Sequence, residues 1–473
     1  MHTVTGMRNR IFIFSAAVLV AGLGLGAAHL AFLDGLFPGR ALSRASGYVR
    51  QVMQIVNVNY VDAGPAAYDE LARDAIHGIV DSLDPHSEYL DKADNADLQE
   101  DLNGEFGGVG VEVEARLGRI VVIAPSPGGP SERAGIRRGD EITSVDGRPI
   151  PANLTMDDVV RRLRGKPGTA VAVELFRPAT GRRFGVRLVR EIIKVASVTR
   201  ARVLDGDIGY LAITEFSQHT GEQFDGAVDR LLKEDIGALV IDLRNNPGGL
   251  LEAAVDVVEP FFRKGELIVY TRGRKPSDRE DFKSDADGEP LNLPIAVLIN
   301  SGTASAAEIV TGALKDTHRA VIVGERSFGK GSVQTLFKLR DGEGLRLTTA
   351  RYFTPSGVVI HGRGIEPQVE VVMTTEEDDN LREQYARAAP ADMAGAKGTP
   401  GFIPAADRQL RAAVDILKGV ERLEEEAGSP QAGKAAADAG RAGLPRLSNA
   451  DNHGTGPFSW SGAGRSPSRW REG

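Results

Sequence analysis

The chain has 473 residues, a formal net charge of −8 and no cysteine. Its 57 basic residues are interspersed with 65 acidic ones and form no long basic block, which argues against nucleic acid as a partner. Without cysteine, disulfide bonds, thiol chemistry and lipid attachment through a cysteine are excluded. The length leaves room for two compact domains and additional helical segments.

The first predicted element is an apolar segment near the N-terminus. Arg8 and Arg10 precede the apolar stretch 11–33, which is long enough to span a bilayer with about 20 residues. Residues 1–35 are therefore a secretory signal or a membrane anchor. Small residues at 26–28 offer a cleavage site, but the apolar stretch continues beyond them and favours the anchor. The predicted location of the remaining chain is the periplasmic or extracytoplasmic face of the cell envelope.

Residues 40–104 are predicted to form an N-terminal helical segment. The stretch from Tyr48 to Asp101 has helical spacing, with apolar residues clustered near its start at Val52 and Ile55. Its distal part contains the string Ser-Leu-Asp-Pro-His-Ser-Glu-Tyr-Leu at residues 82–90.

Residues 105–192 change to short strands separated by glycine turns. A glycine loop at 106–110 comes first. The predicted strands are 111–114, 120–123 and a final one at 171–177. Thr155 caps a helix that runs to Leu163. Residues 134–142 read Ala-Gly-Ile-Arg-Arg-Gly-Asp-Glu-Ile, and the whole region resembles a PDZ domain.

A PDZ domain implies a groove for the C-terminal end of a peptide. Backbone N–H groups of the glycine loop would hold the terminal carboxylate while the peptide adds as a strand. The predicted substrate-binding residues are Gly108, Val109, Gly110, Val111, Met156 and Val160. Val159 and Leu163 share their helix with Met156 and Val160, and each of the four fits either the groove or the core.

The predicted second domain, residues 193–375, carries a glycine turn after a buried strand. The strand is 236–244, and Asn245-Asn246-Pro247-Gly248-Gly249 follows, before a predicted helix at 250–262. Consecutive glycines expose backbone N–H groups, which suits them to stabilise an oxyanion. A tight strand-to-helix turn without catalytic role is the alternative interpretation.

A second strand-to-helix junction carries a candidate nucleophile, Ser305. The apolar run 294–300 is typical of a strand buried on both faces, and residues 304–315 have helical spacing. Ser305 is predicted in the first helical turn, where free N–H groups and the helix dipole favour a developing oxyanion. A serine at a helix start is also common without any catalytic role.

The candidate base is Lys330, in the bend after a predicted strand at 319–325. A βαβ connection returns the chain beside the first strand, so Lys330 can lie next to Ser305. To act as a base, its amine pKa must fall from ~10.4 by about three units. Gln334, four residues further, is placed to hold or orient the amine. A phosphate loop does not fit, because Gly331 stands where that motif has serine or threonine.

The three motifs, in this order, resemble the carboxy-terminal processing proteases, S41-type serine/lysine peptidases of the bacterial envelope and the chloroplast lumen. The resemblance covers residues 48–373. It implies an α/β fold in which a crotonase/ClpP-like ββα protease core carries an inserted PDZ domain and follows an N-terminal helical segment. Residues 68–90 resemble the segment that contributes to dimerisation in relatives, so a homo-oligomer is expected, with a simple scaffold as the alternative role of this segment.

The resemblance also implies roles for individual residues. Ser305 would be the nucleophile, Lys330 the general base and Gln334 its orienter. The N–H of Ala306 with that of Gly248 or Gly249 would form the oxyanion hole. Arg177, at the end of a PDZ strand, would couple peptide binding to protease activation.

The expected function is an endopeptidase that cuts exported proteins near their C-terminus. No metal or other cofactor is expected. The expected partners are C-terminal segments of exported proteins, the membrane through residues 11–33, and an activator or adaptor protein. A C-terminal helical segment is predicted at 376–427, with one helix at 408–427, and a disordered tail at 428–473.

Three alternatives remain open from the sequence. Asp316 and His318 make a Ser/His/Asp arrangement with Ser305 conceivable, although no Gly-x-Ser-x-Gly elbow is present. A membrane-tethered PDZ adaptor with an inactive protease-like scaffold is the second. A crotonase-like acyl-CoA enzyme is the third, but nothing in residues 105–192 would serve a thioester.

Overall fold

The computed structural model describes residues 39–116, 118–151, 155–204, 207–387 and 407–428. By its contacts the chain divides into one unit up to Leu417 and a second from Lys418. No helix in these described ranges is both long enough and apolar enough to cross a membrane. The predicted anchor at 11–33 and the predicted tail from 429 onward lie outside them.

The N-terminal segment consists of three helices and one short strand. They are α1 (Gly39–Asn59), α2 (Tyr68–Asp81), β1 (Glu88–Leu90) and α3 (Lys92–Asn103). The prediction of helix throughout Tyr48–Asp101 is wrong at β1, which pairs antiparallel with residues 344–346. Tyr89 and Leu90 are buried by this pairing, so a contact with a distant strand overrides the local helical spacing.

The PDZ region folds around its own sheet. Its elements are β2 (Glu105–Gly108), β3 (Val111–Arg116), β4 (Arg119–Pro125), α4 (Pro130–Arg133), β5 (Glu141–Val145), β6 (Arg148–Pro149), α5 (Met156–Leu163), β7 (Ala170–Arg177), β8 (Arg182–Val189) and β9 (Glu191–Lys194). Strands β3 to β8 form one sheet, and β2 pairs with β9 where the chain enters and leaves it.

In this region the sequence predicts the helix cap at Thr155 correctly but not the final strand. Thr155 caps α5 as predicted, because its side chain accepts a hydrogen bond from the N–H of Asp158. The prediction that 171–177 is the final strand is wrong. Strand β7 continues through Gly181, at φ +67°, into the hairpin partner β8, whose register with β7 is unbroken.

The protease core follows from residue 198. Its strands are β10 (Val198–Val203), β11 (Ile208–Ile213), β12 (Ala238–Asp242), β13 (Leu267–Arg272), β14 (Arg279–Lys283), β15 (Ile295–Ile299), β16 (Ala320–Gly324), β17 (Ser332–Lys338), β18 (Gly344–Phe353) and β19 (Val369–Glu370). Its helices are α6 (Thr220–Leu232), α7 (Leu251–Val258) and α8 (Ala306–Asp316), followed by α9 (Thr375–Arg387) and α10 (Arg408–Gly428).

The core is built from two sheets. The first has the order β10-β11-β12-β15-β16-β19 and is parallel from β11 onward. Every residue of β11, β12 and β15 is buried, which explains their continuous apolar sequences. Strands β15 and β16 are parallel neighbours, so the predicted βαβ return of the chain is observed. The second sheet has the order β1-β18-β13-β14, and β17 also pairs with β18.

The two faces of the first sheet have different partners. Buried side chains of α6, α7 and α8 cover one face. The opposite face packs against apolar side chains at the start of α10, namely Leu410, Ala413, Val414 and Leu417. Burial on both faces fixes the ends of the parallel strands, where the glycine turn and Ser305 follow.

A buried ion-pair network joins the start of α10 to the end of β12. The Arg244 side chain donates to both carboxylate oxygens of Asp242 and to both of Asp407, at 2.6–2.9 Å. Asp242 also accepts from the Tyr210 hydroxyl at 2.8 Å. Burial would raise the pKa of Asp242, but Arg244 holds it below its ordinary value. The network lies directly before the glycine turn of residues 245–249.

Candidate active site

All six predicted catalytic and oxyanion residues meet at one cavity of about 850 Å³. Its lining includes Ser305, Lys330, Gln334, Gly248, Gly249 and Ala306. They come from the turn after β12, the junction between β15 and α8, and the connection from β16 into β17. The parallel sheet and strand β17 of the second sheet therefore bring three segments that are far apart in the sequence to a single site.

Ser305 adopts a strained backbone conformation immediately before α8. Its φ of +58° with ψ of −119° is rare for a residue with a side chain. Ser305 therefore precedes the first helical turn, one position earlier than predicted. Gly248 lies against it, and a Cβ on Gly248 would come within 2.6 Å of the Ser305 Cβ. Only glycine fits at 248, where the backbone lies close to Ser305 at the wall of the cavity.

The three predicted oxyanion donors are not equivalent. The Gly248 N–H donates to Asn246 Oδ1 at 2.8 Å. The N–H groups of Gly249 and Ala306 have no acceptor among the residues that the structure describes. Ala306 is the first residue of α8, where an N–H has no partner within the helix. Gly249 and Ala306 are thus the donors available to an oxyanion.

Lys330 is half-buried in the wall of the cavity. Burial lowers the pKa of its amine, the positive charge of Arg346 lowers it further, and Glu308 opposes both. Within the described part of the chain, no hydrogen bond joins the Lys330 amine to the Ser305 hydroxyl. The pKa shift is thus in the direction that favours a neutral amine, but the structure shows no contact through which Ser305 could give its proton to this amine.

The hydroxyl of Ser305 instead accepts a hydrogen bond from Tyr352 on β18, at 2.9 Å between the two oxygens. Tyr352 is 3% exposed, and its burial raises the pKa of the phenol, so it is a neutral donor. Sequence reasoning missed Tyr352. Its partner lies 47 positions earlier in the chain, and no local pattern around Tyr352 signals the contact.

A buried carboxylate, Glu308, ties the serine segment to the lysine segment. Its Oε1 accepts from the Ser327 hydroxyl at 2.5 Å and from the Gly329 N–H at 2.7 Å. Its Oε2 accepts from the backbone N–H groups of Ser305 at 2.9 Å and of Lys330 at 2.8 Å. Burial holds the pKa of Glu308 above its ordinary value, although these four hydrogen bonds act in the opposite direction. The Ser-x-x-Glu spacing from 305 to 308 is a capping-box pattern that could have revealed this residue.

Gln334 lines the cavity, but its recorded hydrogen bonds lead away from the lysine. Its Nε2 donates to the hydroxyls of Ser332 at 2.8 Å and Thr348 at 3.3 Å. In the described residues no hydrogen bond joins Gln334 to Lys330. Its role as orienter of the amine stays a prediction.

The chain is similar to known proteins in its sequence. The family model of peptidase family S41 matches residues 207–371, and that of the PDZ domain matches residues 121–177. The chain is 40% identical over 365 residues to a carboxy-terminal-processing protease of Bartonella bacilliformis, with 74% of this chain and 83% of the relative covered. The chain belongs to the carboxy-terminal-processing proteases of peptidase family S41. It is a serine-type peptidase with an α/β core and an inserted PDZ domain.

Two further similarities complete the comparison. The peptidase is 38% identical over 324 residues to a CtpA-like serine protease of Staphylococcus aureus, with 68% of this chain and 64% of the relative covered. Among solved structures it matches the photosystem II D1 C-terminal processing protease at 30% identity and a TM-score of 0.42, with 73% of this chain and 97% of that chain covered.

The alternative histidine base is remote from the serine in this peptidase. Asp316 is the last residue of α8, a helix of 11 residues that begins directly after Ser305. Its carboxylate accepts hydrogen bonds from the backbone N–H and the hydroxyl of Ser356. Neither Asp316 nor His318 lines the cavity.

The PDZ domain of the peptidase has a groove of about 220 Å³ where its glycine loop meets α5. The predicted residues Gly108, Val109, Gly110, Val111 and Val160 line it. Met156 instead packs against the PDZ core, as do the buried Val159 and Leu163, although Leu163 also reaches the groove. The helix residues thus divide between groove and core.

Arg177 makes a bidentate ion pair within the PDZ domain. Its Nε and Nη2 each donate to the Asp140 carboxylate at 2.7 Å, and Nη2 also donates to the Gly135 carbonyl. The Asp140 side chain is 1% exposed. These contacts stabilise the domain itself, and the regulatory role of Arg177 stays a prediction.

The Tyr352→Phe variant of the peptidase is expected to react faster with a fluorophosphonate at Ser305, by about two- to tenfold. One neutral hydrogen bond contributes roughly 0.5–1.5 kcal/mol, and its loss frees the serine oxygen for attack. Labelling rates with excess reagent measure this. Tyr270→Phe is the matched control, since Tyr270 is buried, stacks on Phe353 and lies outside the cavity lining. Slower labelling of Tyr352→Phe would instead make the phenol an aid to the nucleophile.

Proposed function

We propose that this chain is an endopeptidase that uses Ser305 and Lys330 as a dyad to cleave exported proteins near their C-terminus. The PDZ domain would bind the C-terminal end of the substrate. The observation that carries this function is the shared cavity, in which a strained serine lies with a half-buried lysine and two free backbone N–H groups.

The proposed reaction begins with a neutral Lys330 amine. The amine takes the proton of Ser305 while Oγ attacks the carbonyl carbon of the substrate. The N–H groups of Gly249 and Ala306 stabilise the resulting oxyanion. Protonated Lys330 then gives its proton to the departing amine, leaving an acyl-enzyme ester. Lys330 next activates a water, which hydrolyses the ester, releases the new C-terminal carboxylate and restores Ser305.

The contact missing from the structure is consistent with a resting conformation. Ser305 accepts from Tyr352, and the Lys330 amine makes no hydrogen bond to it among the described residues. Substrate, or the predicted activator or adaptor protein, would have to favour a conformation in which the Lys330 amine contacts the Ser305 hydroxyl.

Oligomer formation and membrane attachment belong to the same proposal. Helix α1 has no buried residue, and its side chains Leu42, Tyr48, Ile55 and Val58 are 55–77% exposed. A homo-oligomer would cover these apolar groups. Attachment to the membrane would come through residues 11–33, which places the peptidase on the extracytoplasmic side of the envelope with exported proteins as substrates.

The alternative is a membrane-tethered PDZ adaptor whose protease half is inactive. Its support is that, in the described part of the chain, no hydrogen bond joins the Lys330 amine to the Ser305 hydroxyl. Against it, the serine, the lysine and the free N–H groups all line the cavity.

The test is cleavage of an unstructured exported protein with an apolar C-terminus by chain lacking residues 1–34. Wild type, Ser305→Ala and Lys330→Ala are compared at equal concentration. Cleavage by wild type alone is expected. Equal cleavage by all three would reject the dyad. If none of the three proteins cleaves the substrate and a fluorophosphonate does not label Ser305, the adaptor function would be favoured.

A further inference from the structure

The string Asp84-Pro85-His86-Ser87, directly before β1, folds as a turn around one carboxylate. Asp84 Oδ1 accepts from the backbone N–H groups of His86 at 2.8 Å and Ser87 at 2.9 Å. Its Oδ2 accepts from the Ser87 hydroxyl at 2.8 Å. Burial would raise the pKa of Asp84, but these bonds and one from Thr348 hold it below its ordinary value. The ionised carboxylate acts only as an acceptor.

This turn is fixed to the catalytic sheet at β18. The Thr348 N–H donates to the Ser87 hydroxyl at 3.1 Å. Strand β1 pairs with β18, and Glu88 forms an ion pair with Arg346 at 2.6 Å. Strand β18 in turn pairs with β17, which carries Gln334. The N-terminal segment is therefore one strand away from the predicted orienter of the lysine.

The Thr348 hydroxyl links Asp84 to Gln334. Its Oγ1 donates to Asp84 Oδ1 at 3.2 Å and accepts from Gln334 Nε2 at 3.3 Å. A hydroxyl has one proton, so while that proton is given to Asp84 the oxygen can only accept from Gln334. Ser332 accepts a second hydrogen bond from Nε2 at 2.8 Å. Both amide protons of Gln334 are thus engaged, and its Oε1 is the end left to accept another donor.

The turn also lies within electrostatic reach of the lysine. Burial and then the positive charge of Lys330 hold the pKa of His86 below its ordinary value. Lys330, Gln334 and Arg346 all line the catalytic cavity. The series of hydrogen bonds Asp84–Thr348–Gln334 therefore ends in the cavity that Lys330 also lines.

We propose that Asp84 is a positioning residue for the dyad, because through Thr348 it holds the Gln334 amide with Oε1 as the acceptor for the Lys330 amine. An amine whose N–H is accepted in this way keeps its lone pair for the Ser305 proton. A reversed Gln334 amide would present N–H donors to that lone pair and block it. This role rests on the Ser/Lys function proposed above.

The test measures kcat and KM for three variants, Asp84→Asn, Thr348→Val and Thr348→Ser. Asparagine has an N–H₂ group that can donate to Thr348 and reverse the hydroxyl, and valine removes the hydroxyl. Both are expected to lower kcat by roughly 10- to 100-fold, with KM within about twofold of wild type, since an oriented general base contributes about 10²- to 10⁴-fold. Thr348→Ser keeps the hydroxyl and is expected to restore a near wild-type kcat.

The outcomes separate this role from the dyad itself. Equal kcat values for Thr348→Val and Thr348→Ser, or a raised KM with unchanged kcat, would overturn the positioning role. Ser305→Ala is measured in the same assay, and activity retained there would reject the dyad instead. If Asp84→Asn fails to fold, as judged by circular dichroism, the Thr348 pair still decides.

Discussion

Lys330→Met is expected to lose about 10³- to 10⁴-fold in kcat/KM while the protein stays folded. Methionine matches the length of the lysine chain but offers no basic nitrogen, so the Ser305 proton has no acceptor. The half-buried position favours an apolar side chain, so stability is expected to be maintained. Lys338→Met is the matched control, since Lys338 is an exposed lysine at the end of β17, the strand that follows Lys330. Its kcat/KM is expected to stay at the wild-type value.

With Lys330 as the base, the direction in which kcat/KM changes with pH can be predicted. Burial and Arg346 place the Lys330 pKa below 10.5, its ordinary value. Because only the neutral amine accepts a proton, kcat/KM should rise with pH through this pKa and fall as the pH drops below it. A Lys330→Met variant with more than about a tenth of wild-type kcat/KM, or a wild-type profile with no acidic limb, would remove the lysine from the mechanism.

Glu308→Gln is expected to lower the free energy of unfolding by about 2–6 kcal/mol and to abolish most cleavage. Each carboxylate oxygen of Glu308 accepts two hydrogen bonds, and all four partners are donors. The amide nitrogen of glutamine would face two of these donors, and each unsatisfied buried group costs about 1–3 kcal/mol. Because those donors include the Ser305 and Lys330 segments, the dyad geometry should be lost with the stability.

Denaturant unfolding and fluorophosphonate labelling of Ser305 measure the two effects of this substitution. Glu366→Gln provides the comparison, since the Glu366 side chain is 69% exposed and pairs only loosely with Arg326, at 3.7 Å. A surface change of this kind usually alters stability by less than about 0.5 kcal/mol. A Glu308→Gln protein as stable and as readily labelled as Glu366→Gln would show that the carboxylate does not hold the two segments together.

The sequence predicts the parallel core well because strands buried on both faces have continuous apolar sequences. The apolar run 294–300 anticipates β15 at Ile295–Ile299, and the predicted helix 408–427 matches α10. The positions of Ser305 and Lys330 at one site follow from the same local signals and the handedness of the βαβ unit. Local sequence is sufficient to predict the site where the positions of its residues depend only on a strand and the connection that follows it.

The remaining features depend on contacts between distant parts of the chain. Strand β1 pairs with residues 344–346, and its own three residues are too few to give a period-2 pattern in the sequence. Tyr352 reaches Ser305 across 47 positions, and Asp84 reaches Thr348 across 264. The hydrogen bond from the Gly248 N–H to Asn246 Oδ1 also cannot be predicted from a sequence pattern, because it depends on the orientation of one side chain.

The Arg244 network sets a limit on how far the peptidase can be shortened from its C-terminus. Asp407 is fully buried, and its carboxylate accepts two hydrogen bonds from the Arg244 guanidinium. A chain ending before residue 407 would leave these buried N–H groups without their acceptors beside the glycine turn, and would uncover the sheet face that Leu410, Val414 and Leu417 protect. Residues 407–417 thus belong to the catalytic body, and a trimmed protein intended for crystals or assays should keep them.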